Sequence, residues 1–316
     1  MKKIFILALA IASIAMVSCQ KSEVINGNAN VSIKVGFPET KAISDGTTAT
    51  NLVYEVYHVD ETKTPAVYTL VSEDVATLEN LTATLDFTLM RNNKYVALFW
   101  AQSPKAPYNT DDLRAVKMNY VSDLNGNNED RDAFAGSKEF TVTDDVALTC
   151  TLTRPFSQIN FVASDYENRD NDNIATLKLT KSYVTISKVA TDYNVMTGTA
   201  SNPSTDPGSF SIEYVASSVI AEEFDTNYKN NTWISMNYVL LPNKENEIKV
   251  SALFNVTATY KTGNEINHEI TFPETLVMAG VNYRTNIIGE IFTEGGEIKI
   301  EVKPGYAKPD NTLNID

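Results

Sequence analysis

Apolar and polar residues alternate in short runs along most of this chain, and the period of that alternation is two. Val31, Ile33, Val35 and Phe37 are separated by Ser32, Lys34 and Gly36, which puts four apolar side chains on one face of a strand that Pro38 ends. Asn51 to Val59 and Ala66 to Val71 predict two more strands, and Ala83, Leu85, Phe87 and Leu89 mark another before Asn92-Asn93. Lys94 to Ala101, with Tyr95-Val96-Ala97-Leu98-Phe99-Trp100-Ala101, is apolar on both faces and predicts a strand central in its sheet. Thr110-Asp111-Asp112 offers a cap and first-turn acids for one short helix to about Met118, with Leu113 and Val116 inward. Val146, Leu148, Cys150 and Leu152 share a strand face, so Cys150 is expected as a small buried hydrophobe.

Arg154-Pro155 interrupts the pairing pattern, and Phe156, Ile159 and Phe161 open a new segment. Strands follow near Ala175–Leu179, Tyr183–Val189, Ser209–Tyr214, Trp233–Leu241, Glu247–Tyr260 and Glu269–Phe272, with a loop over Thr199–Gly208. A late strand opens at Asn282, and Gly295-Gly296 turns into Ile298, Ile300 and Val302 before Pro304. Long helical periodicities are nearly absent, so the chain is expected to be all-β.

The amino terminus breaks this style. Lys2 and Lys3 precede an apolar run from Ile4 to Val17 that is too short to span a bilayer comfortably, the pattern of a secretory signal. Met16-Val17-Ser18-Cys19 resembles the lipobox of bacterial lipoproteins, with Met16 where Leu is usual. The resemblance implies cleavage before Cys19 and acylation of its thiol; the alternative is a cut near Ala15 that leaves Cys19 incidental. Acyl chains contribute about 0.8 kcal/mol per buried methylene, so two or three of them anchor a protein stably. Gln20-Lys21-Ser22-Glu23 partly resembles the charged signal that sends Bacteroidetes lipoproteins to the outer face of the outer membrane.

Loss of residues 1–18 removes two lysines and moves the formal charge from −14 to −16. That acidity, with no run of Lys or Arg past the signal, argues against nucleic acid or an anionic membrane as partner. Cys19 and Cys150 are the only cysteines, so acylation of Cys19 leaves no intramolecular disulfide. The remaining 298 residues suffice for two domains of ordinary size, expected at 30–154 and 155–316 after a tether over 19–29.

Candidate chemistry is sparse. His58 and His268 lie in unrelated strands without metal-ligand spacing, and neither a phosphate loop nor a G-x-S-x-G elbow occurs. A carboxylate pair for glycoside hydrolysis is the one enzymatic arrangement that forty acidic residues always leave open. Asp123, Asn125, Asn127, Glu129, Asp130 and Asp132 gather oxygens in a loop, but counting back from Gly126 puts Val121 first in a calcium-loop frame, so a solvated turn is expected. No cofactor or metal is expected. Tyr57, Tyr108, Tyr166, Tyr228 and Trp233 are the aromatics that a glycan-binding surface lipoprotein could use, the alternative function; Trp233 also fits a core position, as does Trp100.

Taken together, the signal with Cys19, the strand 95–101, Asp132-Ala133-Phe134-Ala135-Gly136, Arg154-Pro155-Phe156-Ser157-Gln158-Ile159-Asn160-Phe161, Asn237-Tyr238-Val239-Leu240-Leu241-Pro242 and Asn282-Tyr283-Arg284-Thr285-Asn286-Ile287 resemble the fimbrillin-like surface lipoproteins of Bacteroidetes, the subunits of type V pili and their relatives. The resemblance implies two tandem transthyretin-like β-sandwich domains, no catalysis, a role in adhesion, and assembly with other subunits of the same or related type. It also implies that a protease removes the amino-terminal strand after a basic residue and that a neighbouring subunit fills the groove. On this chain the removable strand is Val31, Ile33, Val35 and Phe37, and the cleaved bond is Lys41–Ala42, with Lys where the family commonly has Arg. Extracting those four side chains, at about 1.5 to 3 kcal/mol each, would cost on the order of 10 kcal/mol as an upper estimate. The candidate donor is Ile298, Ile300 and Val302 with the tail that follows, in which Leu313 and Ile315 are the only apolar residues after Ala307. Stalk, tip and anchor roles all remain compatible, and the adhesion target is not encoded in any motif.

Overall fold

The computed structural model describes residues 27–37, 45–120, 124–166, 173–202, 211–220, 231–293 and 298–304. The first half forms β1 (Asn28–Gly36), β2 (Asn51–Asp60), β3 (Val67–Thr77), β4 (Thr82–Met90), β5 (Asn93–Gln102), β6 (Val116–Lys117), β7 (Ala133–Val142) and β8 (Val146–Thr151). The second forms β9 (Phe156–Ala163), β10 (Ile174–Ser187), β11 (Asp192–Asn194), β12 (Thr199–Ser201), β13 (Ser211–Ala216), β14 (Thr232–Leu240), β15 (Glu245–Tyr260), β16 (Glu265–Gly280), β17 (Tyr283–Gly289) and β18 (Ile298–Pro304). Apart from a single 3₁₀ turn at Glu129–Arg131, the regular elements among the described residues are strands, and the protein is all-β as expected.

Four sheets stack in layers. Sheet β4-β1-β8 faces sheet β3-β2-β5-β7 across a core that includes Val31, Ile33, Val35, Leu52, Val56, Phe87, Phe99 and Phe134. Sheet β14-β9-β17-β18 faces sheet β13-β10-β15-β16 across Phe161, Val184, Tyr214, Val239, Phe254 and Ile287. The two sandwiches meet back to back. Trp100, Leu98 and Tyr57 from one half pack with Phe156, Trp233, Met236 and Tyr238 from the other, and a small sheet β12-β11-β6 joins strands of both halves.

This stacking explains the strands that are apolar on both faces. On β5, Ala97, Phe99 and Ala101 point into one core, Leu98 and Trp100 into the next. On β9, Ile159 and Phe161 face the second sandwich while Phe156 and Val162 face the middle layer. Such strands have no solvent side to alternate against.

Three sequence expectations are corrected. Thr110–Met118 is not a helix: the Asp112 carboxylate accepts the Arg114 backbone N–H at 2.8 Å, closing a turn, and Glu55 Oε1 accepts the Leu113 N–H at 2.9 Å. The three-residue spacing of Leu113 and Val116 is satisfied by that turn and by β6. The segment 124–132 is not a solvated turn. Leu124 is in the core, and the Asn127 side chain donates to Ser218 O and Ile234 O and accepts the Met236 N–H. Thr199–Ser201 is strand β12 rather than loop.

Candidate strand-exchange site

Alternation alone places Val31, Ile33 and Val35 on one face of β1, and its neighbours complete the site. β1 is the middle strand of its sheet, antiparallel to β4 and parallel to β8. Val31 lies between Phe87 and Val146, Ile33 between Leu85 and Leu148, and Val35 between Ala83 and Cys150. Each of Val31, Ile33, Val35 and Phe37 is at most 1 % exposed. Burial pushes the Cys150 thiol up to about 11.

The start of β1 is clamped by Arg91. Its backbone N–H donates to Gly27 O at 2.9 Å and its Nε to Asn28 O at 3.2 Å; its guanidinium pairs with Asp144 and holds that carboxyl below the usual range. The Asn30 N–H donates to Asp145 Oδ1 at 2.9 Å.

The end of β1 is built differently. The Phe37 and Phe134 rings stack with centroids 3.6 Å apart and planes within 7°. The Arg154 guanidinium lies 4.3 Å from the Phe134 centroid and donates from Nε and Nη2 to the two oxygens of Asp132, both at 2.7 Å. Burial pushes the Asp132 carboxyl up, against the pull of Arg154. Gly36 has no room for a side chain, since a Cβ would stand 2.8 Å from Leu81 O. Gly46, at φ +81°, would place one 2.7 Å from the Phe37 ring. A cavity of about 490 Å³ opens beside Phe37, walled also by Thr47, Ala49, Thr50, Leu78, Asn80, Leu81 and Thr82.

Ile298, Ile300 and Val302 lie on β18, an edge strand whose described neighbour is β17. The two candidate strands therefore belong to different sheets. Cys19, Lys41 and Ala42 lie outside the described residues. Sequence reasoning did not single out Arg91 as a clamp, and it quoted Asp132, Phe134 and Arg154 only as motif letters. Their signal is the alternation of charged and aromatic residues in two segments that the fold brings together.

Among the described residues, the aromatics considered for sugar binding do not form a platform. Tyr57, Tyr108 and Trp233 are 3 %, 9 % and 1 % exposed, Tyr166 packs against Phe292, and Tyr228 is outside the described residues. His58 Nε2 lies 3.0 Å from Asn93 Oδ1, and His268 is exposed near Tyr260. Among the described residues no group of His, Cys, Asp and Glu is placed to hold a metal ion, and no helix is long and apolar enough to cross a membrane.

The sequence matches one family profile over residues 21–316. The chain belongs to DUF6562, a family of unknown function. No curated protein resembles this DUF6562 member in sequence. Its fold is shared with a fimbrial protein from Bacteroides vulgatus, at 11 % identity and a TM-score of 0.50 over 89 % of this chain and 100 % of that one. A protein provisionally described as a cell adhesion protein from Bacteroides eggerthii aligns at 14 % identity and a TM-score of 0.47, covering 88 % and 96 %. The tip fimbrial protein Mfa3 from Porphyromonas gingivalis, with its C-terminus truncated, aligns at 10 % and 0.44, covering 88 % and 99 %. At such identities the likeness is one of fold.

Proposed function

We propose that the protein is a non-enzymatic cell-surface subunit or accessory of a pilus-like fibre, held to the outer membrane through acylated Cys19 until processing and joined to its neighbours by exchange of β1. The observation that carries this reading is the position of β1. It is a single amino-terminal strand wedged between β4 and β8, its removal would leave two ladders and an apolar groove open at once, and Lys41 follows Phe37 by four residues in the sequence. An open groove of that kind is a template for a strand with matching alternation. Independent domains at 30–154 and 155–316 belong to the same reading. The fimbrial neighbours support it through the fold they share.

The test is the mass and amino-terminal sequence of the protein in membrane-bound and surface-sheared fractions. Sheared polymers that begin at Ala42 support the reading. Copies that all keep acylated Cys19 and remain monomeric exclude polymerisation by loss of β1.

A further inference from the structure

The end of β1 occupies a site that discriminates between strands. The Asn80–Leu81 turn, with both residues at positive φ, brings Leu81 O to where a Cβ on Gly36 would lie 2.8 Å away, with Thr82 Cγ2 at 2.9 Å. Backbone cannot retreat as a flexible side chain can, so this position requires glycine. The next residue is held as a flat ring, stacked on Phe134 at 3.6 Å, while the Gly46 backbone closes over the edges of both rings so tightly that a Cβ there would stand 2.7 Å from Phe37 and 2.9 Å from Phe134. The site thus selects the dipeptide glycine-aromatic after an alternating strand.

Of the thirteen glycines in the sequence, only Gly36 and Gly305 are followed by an aromatic residue. Gly305-Tyr306 directly follows β18. Laying Gly305-Tyr306 over Gly36-Phe37 puts Ile298, Ile300 and Val302 at the positions of Ala29, Val31 and Ile33, all buried in this structure. Lys303 falls on Lys34, and Pro304 falls on Val35, one rung from the end of the parallel ladder, where its missing N–H costs the incoming strand one backbone hydrogen bond. Shifting by two residues, so that Val302 overlies Val35, would put Lys303 at the Gly36 position against Leu81 O, and that register is blocked. The cavity beside Phe37 supplies the remaining match. Thr47, Thr50 and Asn80 line it, and a tyrosine, unlike Phe37, carries a hydroxyl for them to bond.

The geometry points to the Gly36–Phe37 site as a register-selecting slot whose occupant in an assembly is Gly305-Tyr306 of a second copy of this chain. This rests on the exchange reading above. To donate, the strand Ile298–Pro304 leaves β17, its ladder partner at the sheet edge, and enters a place with a ladder on each side.

The experiment uses the full chain with residues 38–44 replaced by a site-specific protease sequence, cut after folding, and reads the assembled fraction by size and by resistance to detergent. Gly305→Val and Tyr306→Ala are expected to lower assembly about tenfold or more, while Tyr306→Phe stays within about threefold. A benzophenone amino acid at 306 is expected to crosslink to residues 45–50, 78–82 or 134 of a neighbouring copy. Assembly that is indifferent to Gly305→Val and Tyr306→Ala overturns the slot while the exchange reading stands. A cut chain that never assembles overturns both.

Discussion

Val35 of β1 and Cys150 of β8 face each other across a parallel ladder, so the one thiol beyond Cys19 is shielded by the strand proposed to leave. Burial holds that thiol at about 11, and only the thiolate reacts with alkylating agents. With Cys19 replaced by Ser, Cys150 should therefore alkylate slowly at pH 8 while β1 is in place. Loss of β1 returns the thiol toward its ordinary value and raises the rate about a hundredfold. Equal rates before and after strand removal would show that β1 does not cover Cys150.

Asp132 and Arg154 form a doubly hydrogen-bonded pair with side chains 1 % and 2 % exposed. Deleting either partner leaves the other charge buried, which costs about 3 to 5 kcal/mol. Arg154→Ala and Asp132→Ala should each lower the urea midpoint accordingly, and the double replacement Asp132→Leu with Arg154→Met should recover most of the loss. If the double variant is as unstable as either single one, the pair contributes more than mutual neutralisation.

The protein should lose stability in alkali. Burial pushes Tyr193 and Tyr214 up to about 12 and Cys150 up to about 11, whereas in the unfolded chain tyrosine titrates near about 10 and cysteine near about 8.5. Between those values the native state holds protons that the unfolded state has released, so stability falls as pH rises. Each group contributes about 1.4 kcal/mol per pH unit within its own window, and that contribution is fully present below the unfolded value. Thermal unfolding measured from pH 8 to 10.5 should show a falling midpoint that begins with Cys150 and steepens as the tyrosines join. Cys150→Ala should delay the onset; a midpoint that is flat or rises would contradict the burial of these groups.

Much of the fold was legible because strands such as β1, β4, β13 and β15 have one wet face. β1 and β4 repeat Val31–Phe37 and Ala83–Leu89 with little ambiguity, and the doubly apolar β5 was recognisable as central. The length of β16 was not. Its outer residues, among them Ile266, Leu276 and Met278, are exposed, and Pro273 sits inside it at a sheet edge, where a missing N–H is tolerated. β3 extended past Val71 to Thr77 for a similar reason, since an edge strand exposed on both faces follows no alternation. The false helix at 110–118 came from reading Asp112 as a cap when its carboxylate closes a turn instead. At the site, the four apolar residues of β1 could be read from spacing, but the ring of Phe134, the Asp132–Arg154 pair and the Arg91 clamp depend on segments distant in sequence. Only folding shows that Asp132, Phe134, Arg154 and Phe37 form one stack.

The placement of β1 also sets how the molecule bears load. A terminal strand at a sheet edge, pulled across its axis, peels away one hydrogen bond after another. β1 instead is gripped along both edges, by β4 in one direction and β8 in the other, so tension along the strand puts both ladders in shear and their rungs must yield together. A strand seated in the same place by a neighbouring copy would inherit that geometry, and a fibre joined in this way would resist drag through the simultaneous loading of each joint, with no covalent bond between its members.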